Sequence, residues 1–290
     1  MTSLPATLNT VLTIAVLTIR ETQRRRILWV ALIMGILFLA IFGLGFHYIL
    51  VDIEAEAGFQ RQTAEGFRGT IAGFLTLMGL YVINFLVIVI AALLSAGSIS
   101  GEIESHAMET VVTKPVRRWE VVVGKWLGFA IILSIYLLLL AGGVMLVAYL
   151  RAGFVLQHVP AGVGLMLLSA FSMLSLSILG GTRLSTLANG ALAFMLYATA
   201  FVGGWVEQIG ALLRNETAVD IGIASSLIMP ADVLWKKATA LFQPGVAGSM
   251  DVPAPFVVMS QPNEAVVIYG VVYIVALLLA ALVVFSRRDL

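Results

Sequence analysis

The residues whose types and spacing could do chemistry are concentrated in one polar stretch, Ser100 to Gly128, SGEIESHAMETVVTKPVRRWEVVVGKWLG. From Glu102 to Thr113, Ile103, Ala107, Met108, Val111 and Val112 share one half of a helical wheel; Glu102, Ser105, His106, Glu109, Thr110 and Thr113 share the other. This is the pattern of a short amphipathic helix on a membrane surface. Glu104 falls inside the apolar arc, where a carboxylate requires a cation or a wet niche, and Arg117 and Arg118 are the nearest candidates. Pro115 cannot continue the helical ladder and disfavours helical dihedrals at Lys114, so the chain turns there into a rigid elbow. Glu102 and Glu109 lie two turns apart on the polar face, with Lys114, Arg117 and Arg118 directly after. Such a surface suits electrostatic docking of a partner protein.

Other chemistries find little support. With no cysteine there is no disulfide, thiol catalysis or thiolate metal site. Of the three histidines, His47 and His158 share an end of the molecule but lack a third ligand, and His106 reads as a contact or a solvated side chain, so no metal site is expected. Gly124-Lys125 is not a phosphate-cradling loop, because Trp119 stands where its first glycine belongs and Trp126 where its hydroxyl belongs. The central stretches of the apolar segments hold no Asp, Glu, Lys or Arg, which weighs against an ion or proton pathway of the chain's own. Energy for transport would therefore come from another chain. Asn84 and Asn189 could line a pathway or form interhelical hydrogen bonds, and Ser169, Ser172, Ser175, Thr186, Gly180 and Gly181 read as close-packing positions.

The elements that carry these residues are membrane helices. Among 290 residues, 60% are hydrophobic and 11% charged, with a mean hydropathy of +1.04, far from the roughly 25% charge of soluble domains. Residues 4–26 form an apolar face closed by Arg20, Arg24, Arg25 and Arg26, too short and threonine-rich to span, and are read as an interfacial helix. Spans are expected at 27–50, 71–100, 121–150, 161–182, 184–206 and 265–286, with Lys125 snorkelling back to the surface. The segment 207–264 reads as two short interfacial helices and a Pro/Gly-rich loop that close one mouth of the bundle. The fold class is thus an all-α membrane protein. Six spans put both termini on one side; that side carries eleven Lys and Arg against six opposite, which makes it cytoplasmic by the positive-inside rule.

The order Gly101-Glu102-Ile103-Glu104, Met108-Glu109-Thr110, Thr113-Lys114-Pro115-Val116-Arg117-Arg118 and Gly124-Lys125 closely resembles the segment between the second and third spans of permeases of type-2 ABC transporters, the ABC-2 family. The resemblance implies that 101–118 is a coupling helix docked on a separate cytoplasmic ABC ATPase, with Glu102, Glu104, His106, Met108, Glu109, Pro115, Arg117, Arg118, Gly124 and Lys125 at or near the contact. It further implies one transmembrane domain over 1–290, a second copy or a related permease, and an ATPase dimer that carries ATP and Mg, so that this chain binds no cofactor and hydrolyses nothing. An ATP-driven exporter working by alternating access in the plasma membrane of a bacterium or archaeon is the function so implied, with no role for nucleic acid. A non-transporting membrane anchor or assembly scaffold is the alternative, and a self-powered carrier stands third.

Overall fold

A computed structural model of the chain describes residues 6–56, 61–97, 117–242 and 262–287. The protein is all-α: among the described residues there are nine helices, α1 (Ala6–Arg24), α2 (Arg26–Glu56), α3 (Arg61–Ala96), α4 (Arg118–Ala152), α5 (Val159–Gly181), α6 (Thr186–Leu213), α7 (Glu216–Ser226), α8 (Ala231–Phe242) and α9 (Ala265–Ser286). Six of them, α2 to α6 and α9, have stretches long and apolar enough to cross a membrane. In α7 and α8 the axis bends by 108° at a short break, the geometry of a broken span or a re-entrant loop. No backbone polar group can be left open in hydrocarbon, so apolar runs of this length have to become helices.

The core lies where α3, α4 and α5 meet. Leu80, Ile83, Leu133, Leu137, Met166, Met173 and Ile178 are buried there. Of the most apolar window of α3 and of α5, 61% is buried, against 11% for α2 and 17% for α9, so these two are the outer helices. Their exposed Ile33, Leu37, Ile41, Ile268 and Val272 face what a bilayer would cover.

Long-range bonds fix the two ends of the bundle. At one end, Arg118 Nη1 donates to the carbonyls of Phe285 and Ser286 at 3.4 Å, and Asn189 Nδ2 donates to the carbonyl of Ala96 at 3.3 Å. At the other, Arg68 donates to the carbonyl of Arg151 at 2.8 Å, and the Gln157 amide donates to the Phe242 carbonyl at 3.2 Å. The tight α5–α6 hairpin around Arg183 is present, its amide bonded to the Gly180 carbonyl at 3.1 Å.

Three expectations change. The fifth span does not stop at residue 206: α6 continues to Leu213, where Arg214 takes a left-handed φ of 54°. The pattern Val206-Glu207-Gln208-Ile209-Gly210 stays helical because α7 folds back along it and covers its polar side chains. The third spanning helix is also longer than 121–150, running from Arg118 to Ala152. Finally, Lys125 does not reach the surface and is 5% exposed. Val121, Val122, Gly124, Gly128 and Phe129 are buried at the same level of α4, so the helix is enclosed on most sides and an extended lysine has no route outward.

Candidate functional site

Of the elbow residues, Glu102, Glu104, His106, Met108, Glu109 and Pro115 lie outside the described residues, and the site's geometry starts at Arg117. Arg117 is the extended residue before α4, with φ −74° and ψ 138°. Its amide donates to Glu120 Oε2 at 3.0 Å, and Glu120, 3% exposed, thereby closes the first turn. A carboxylate here also complements the positive end of the helix dipole. One residue on, Arg118 clamps two carbonyls in the last turn of α9, where the helix's own donors run out. The chain leaving the elbow is fixed to two helices within two residues.

α1 braces the next two turns. A Cβ added at Gly124 would lie 2.7 Å from Ile14 Cβ and 3.0 Å from the Val11 carbonyl, and one at Gly128 would lie 2.8 Å from the Ala15 carbonyl. This small-xxx-small spacing lets two helix backbones touch. The face of α1 turned inward is Val11, Ala15, Thr18 and Thr22, whereas Leu8 and Leu12 are exposed. The threonines can be buried because Thr18 and Thr22 donate to the carbonyls of Ile14 and Thr18, at 2.8 and 2.7 Å.

A second polar joint ties α3, α5 and α6. Asn189, 1% exposed, donates through Nδ2 to the carbonyl of Ser177 at 2.7 Å and to that of Ala96 at 3.3 Å. Gly180 makes room for it, since a Cβ there would sit 2.0 Å from Asn189 Oδ1. Asn84 is 4% exposed in the middle of α3. The serines of α5 are buried: Ser169 donates to the Ala231 carbonyl of α8 at 3.1 Å, and Ser175 accepts from Trp126 Nε1 at 2.9 Å.

The feature that sequence reasoning missed is a buried ionic cluster in the other half of the bundle. Lys236 Nζ of α8 lies 2.9 Å from Glu207 Oε2 of α6, 3.0 Å from Asp232 Oδ2 and 3.2 Å from the Gly204 carbonyl. All three charged side chains are 6–8% exposed. The Lys236–Asp232 contact is ionic without hydrogen-bond geometry. Asp232, on α8 and outside the six spans, has its carboxyl raised above the ordinary range by burial; Lys236 opposes the shift and Glu207 adds to it. The available signals were a Glu at the end of an apolar run and the i,i+4 pair Asp232/Lys236. What hid the cluster was ending α6 one residue before Glu207.

Around it, Tyr81, Tyr197, Phe201, Trp205 and Trp235 form a run of ring contacts with centroids 5.7 to 6.4 Å apart. Ties from α9 complete this closed end: Tyr269 Oη donates to the Leu227 carbonyl, Tyr273 Oη to the Ile228 carbonyl at 2.9 Å, and Lys237 pairs with Glu264 at 2.7 Å. Among the described residues, no group of three or more His, Asp or Glu is arranged to hold a metal ion. His158 takes a left-handed φ of 46° before α5, and His47 packs against the Tyr48 ring.

Six helices long and apolar enough to cross a membrane, with a bent helix pair between the fifth and the sixth, define a multi-pass membrane protein. Residues 12–290 match the family model described as ABC-2 family transporter protein, and the chain belongs to that family. None of the curated proteins matches it. Permeases of this family typically lack an ATPase site and generally pair with ATPase subunits.

Proposed function

We propose that this chain is the permease of an ATP-driven ABC-2 exporter, one transmembrane domain whose 101–118 segment docks on a separate cytoplasmic ATPase. The observation that carries the reading is mechanical. The segment feeds directly into a 35-residue helix, α4, whose first turns are fixed to α1 at Gly124 and Gly128 and to α9 through Arg118. A displacement at the elbow cannot be absorbed locally, because closely packed interfaces shift as units. It moves α4, and with it the α3–α4–α5 core.

In this reading Glu102, Glu104, His106, Met108 and Glu109 meet the ATPase, Pro115 fixes the turn, and Arg117, Arg118, Gly124 and Lys125 pass the motion inward. ATP and Mg sit on the partner, and the two elbows of a dimer approach when its ATPase subunits close, which gives alternating access. The second permease, a copy of this chain or a relative, would meet the open faces of α3 and α6, where Phe85, Trp205 and Met195 are exposed. Asn84 and Asn189 are the candidate pathway residues on these two helices, both buried behind the open faces; Asn189 serves the α3–α5–α6 joint through its hydrogen bonds. Both termini and the elbow face the cytoplasm of a plasma membrane. The cluster at Lys236 seals the outer mouth, in keeping with the single positive charge that binds α8 to α6 there.

The test is stimulated ATP hydrolysis by the partner ATPase with wild type and with Glu102→Lys/Glu109→Lys. The reading predicts that the double variant loses complex and stimulation together, and that complementary charge reversal in the ATPase groove restores both. Unchanged stimulation would remove the docking assignment.

A further inference from the structure

A pocket of about 290 Å³ opens on the side of the bundle at the end opposite the elbow. Its walls include Thr76 of α3, Gly142, Met145 and Tyr149 of α4, and Phe154 and Val155 of the α4–α5 connection. We propose that this pocket binds one acyl chain of a membrane phospholipid in the leaflet on that side.

Three observations choose this occupant. The first is chemistry. The walls are almost wholly apolar: Thr76 Oγ1 is already spent on the Ala72 carbonyl at 2.6 Å, which leaves the Tyr149 hydroxyl as the one other polar side-chain group among the lining residues. Water needs two to four polar partners to occupy a cavity, and these walls do not supply them. The second is shape. The α4 residues on its wall run from Gly142 to Tyr149, a rise of about 10 Å, which fits within the half-thickness of a hydrocarbon core of roughly 30 Å. The pocket is therefore no longer than one leaflet is deep. Its volume lies at the small end of ligand sites, about 300 Å³, room for a single chain and not for a whole lipid.

The third concerns the paired glycines of α4. A Cβ on Gly143 would meet Leu39 at 2.7 Å, so that glycine serves the contact with α2, whereas a Cβ on Gly142 meets nothing within 4 Å. Gly142 keeps the pocket wall flat where no neighbouring helix requires it. Exposed apolar surface elsewhere, such as Val272 and Leu279 of α9 at 57% and 56%, is convex lipid-facing helix and provides an internal reference.

The experiment reconstitutes the full chain in nanodiscs doped with a phosphatidylcholine that carries a diazirine midway along one acyl chain, then maps photo-adducts by peptide mass spectrometry. Adducts on Met145 and Tyr149 should exceed those on Val272 and Leu279 several-fold. Gly142→Leu, which projects into the pocket without a backbone clash, should bring them down to the α9 level at an unchanged melting temperature. If that variant is unstable, Val155→Trp fills the pocket from the opposite wall and should do the same. Wild-type labelling no higher than on α9 overturns the proposal, as does labelling that survives both fillings. A benzophenone side chain at position 149 that cross-links a second copy of the chain instead of lipid would also overturn it.

Discussion

Lys236 is one positive charge between two carboxylates, and all three side chains are almost out of solvent. Removing one partner of a buried ion pair leaves an uncompensated charge and costs about 3–5 kcal/mol, whereas replacing the whole set by neutral groups of similar volume is often near neutral. Lys236→Met should therefore lower the thermal stability of the detergent-solubilised protein markedly, and the triple variant Glu207→Gln/Asp232→Asn/Lys236→Met should recover most of the loss. Equal damage in both would show that the cluster's contribution is packing. Gly180 offers a second check. Gly180→Ala drives a methyl into Asn189 and should destabilise by about 1–3 kcal/mol; adding Asn189→Ala should return part of it, as in a double-mutant cycle between touching residues. Asn189 was legible as a polar residue within a span, with an interhelical hydrogen bond among its readings. Gly180 was legible as a close-packing residue, but its particular neighbour was not, because a pairing between two helices is a tertiary fact.

Among the elements, α1 draws its position from two glycines that belong to another helix. Most helical stability in proteins comes from packing of one face and not from propensity, so α1, rich in threonine, depends on its packed face. Gly128→Leu should push α1 off α4, since the side chain would enter the space of the Ala15 carbonyl and Thr18. Hydrogen exchange should then speed up across Ala6–Arg24 while α5 amides stay protected; unchanged exchange in α1 would show that lipid or the α1–α2 junction holds it instead. The sequence revealed α1 as an amphipathic helix with its basic end. It did not show which part of the apolar face turns inward: close approach to Gly124 and Gly128 selects Val11, Ala15 and the self-bonded Thr18 and Thr22, and leaves Leu8 and Leu12 outside. Helix ends were the least legible feature. Glu207 and Gln208 looked like the beginning of the non-spanning segment, and the packing of α7 against α6 explains why these polar residues remain in the spanning helix.

At the scale of the whole molecule, the six spans followed from the lengths of apolar runs, since a bilayer leaves the backbone few alternatives; the two short helices after the fifth span were expected, but not the 108° bend between them. The six-span architecture is thus legible in the sequence. The buried charges are not, because they depend on which helices meet at the closed end. The proposed coupling requires that residues 101–118 face the cytoplasm and are covered by a partner ATPase. The cysteine-free sequence makes it directly measurable, since one introduced thiol has no background. Glu109→Cys, probed in inside-out and right-side-out vesicles with a membrane-impermeant maleimide, is predicted to react only from the cytoplasmic side and to be protected when the ATPase is bound. Reaction from the external side, or cytoplasmic labelling that the bound ATPase leaves unchanged, would contradict the account.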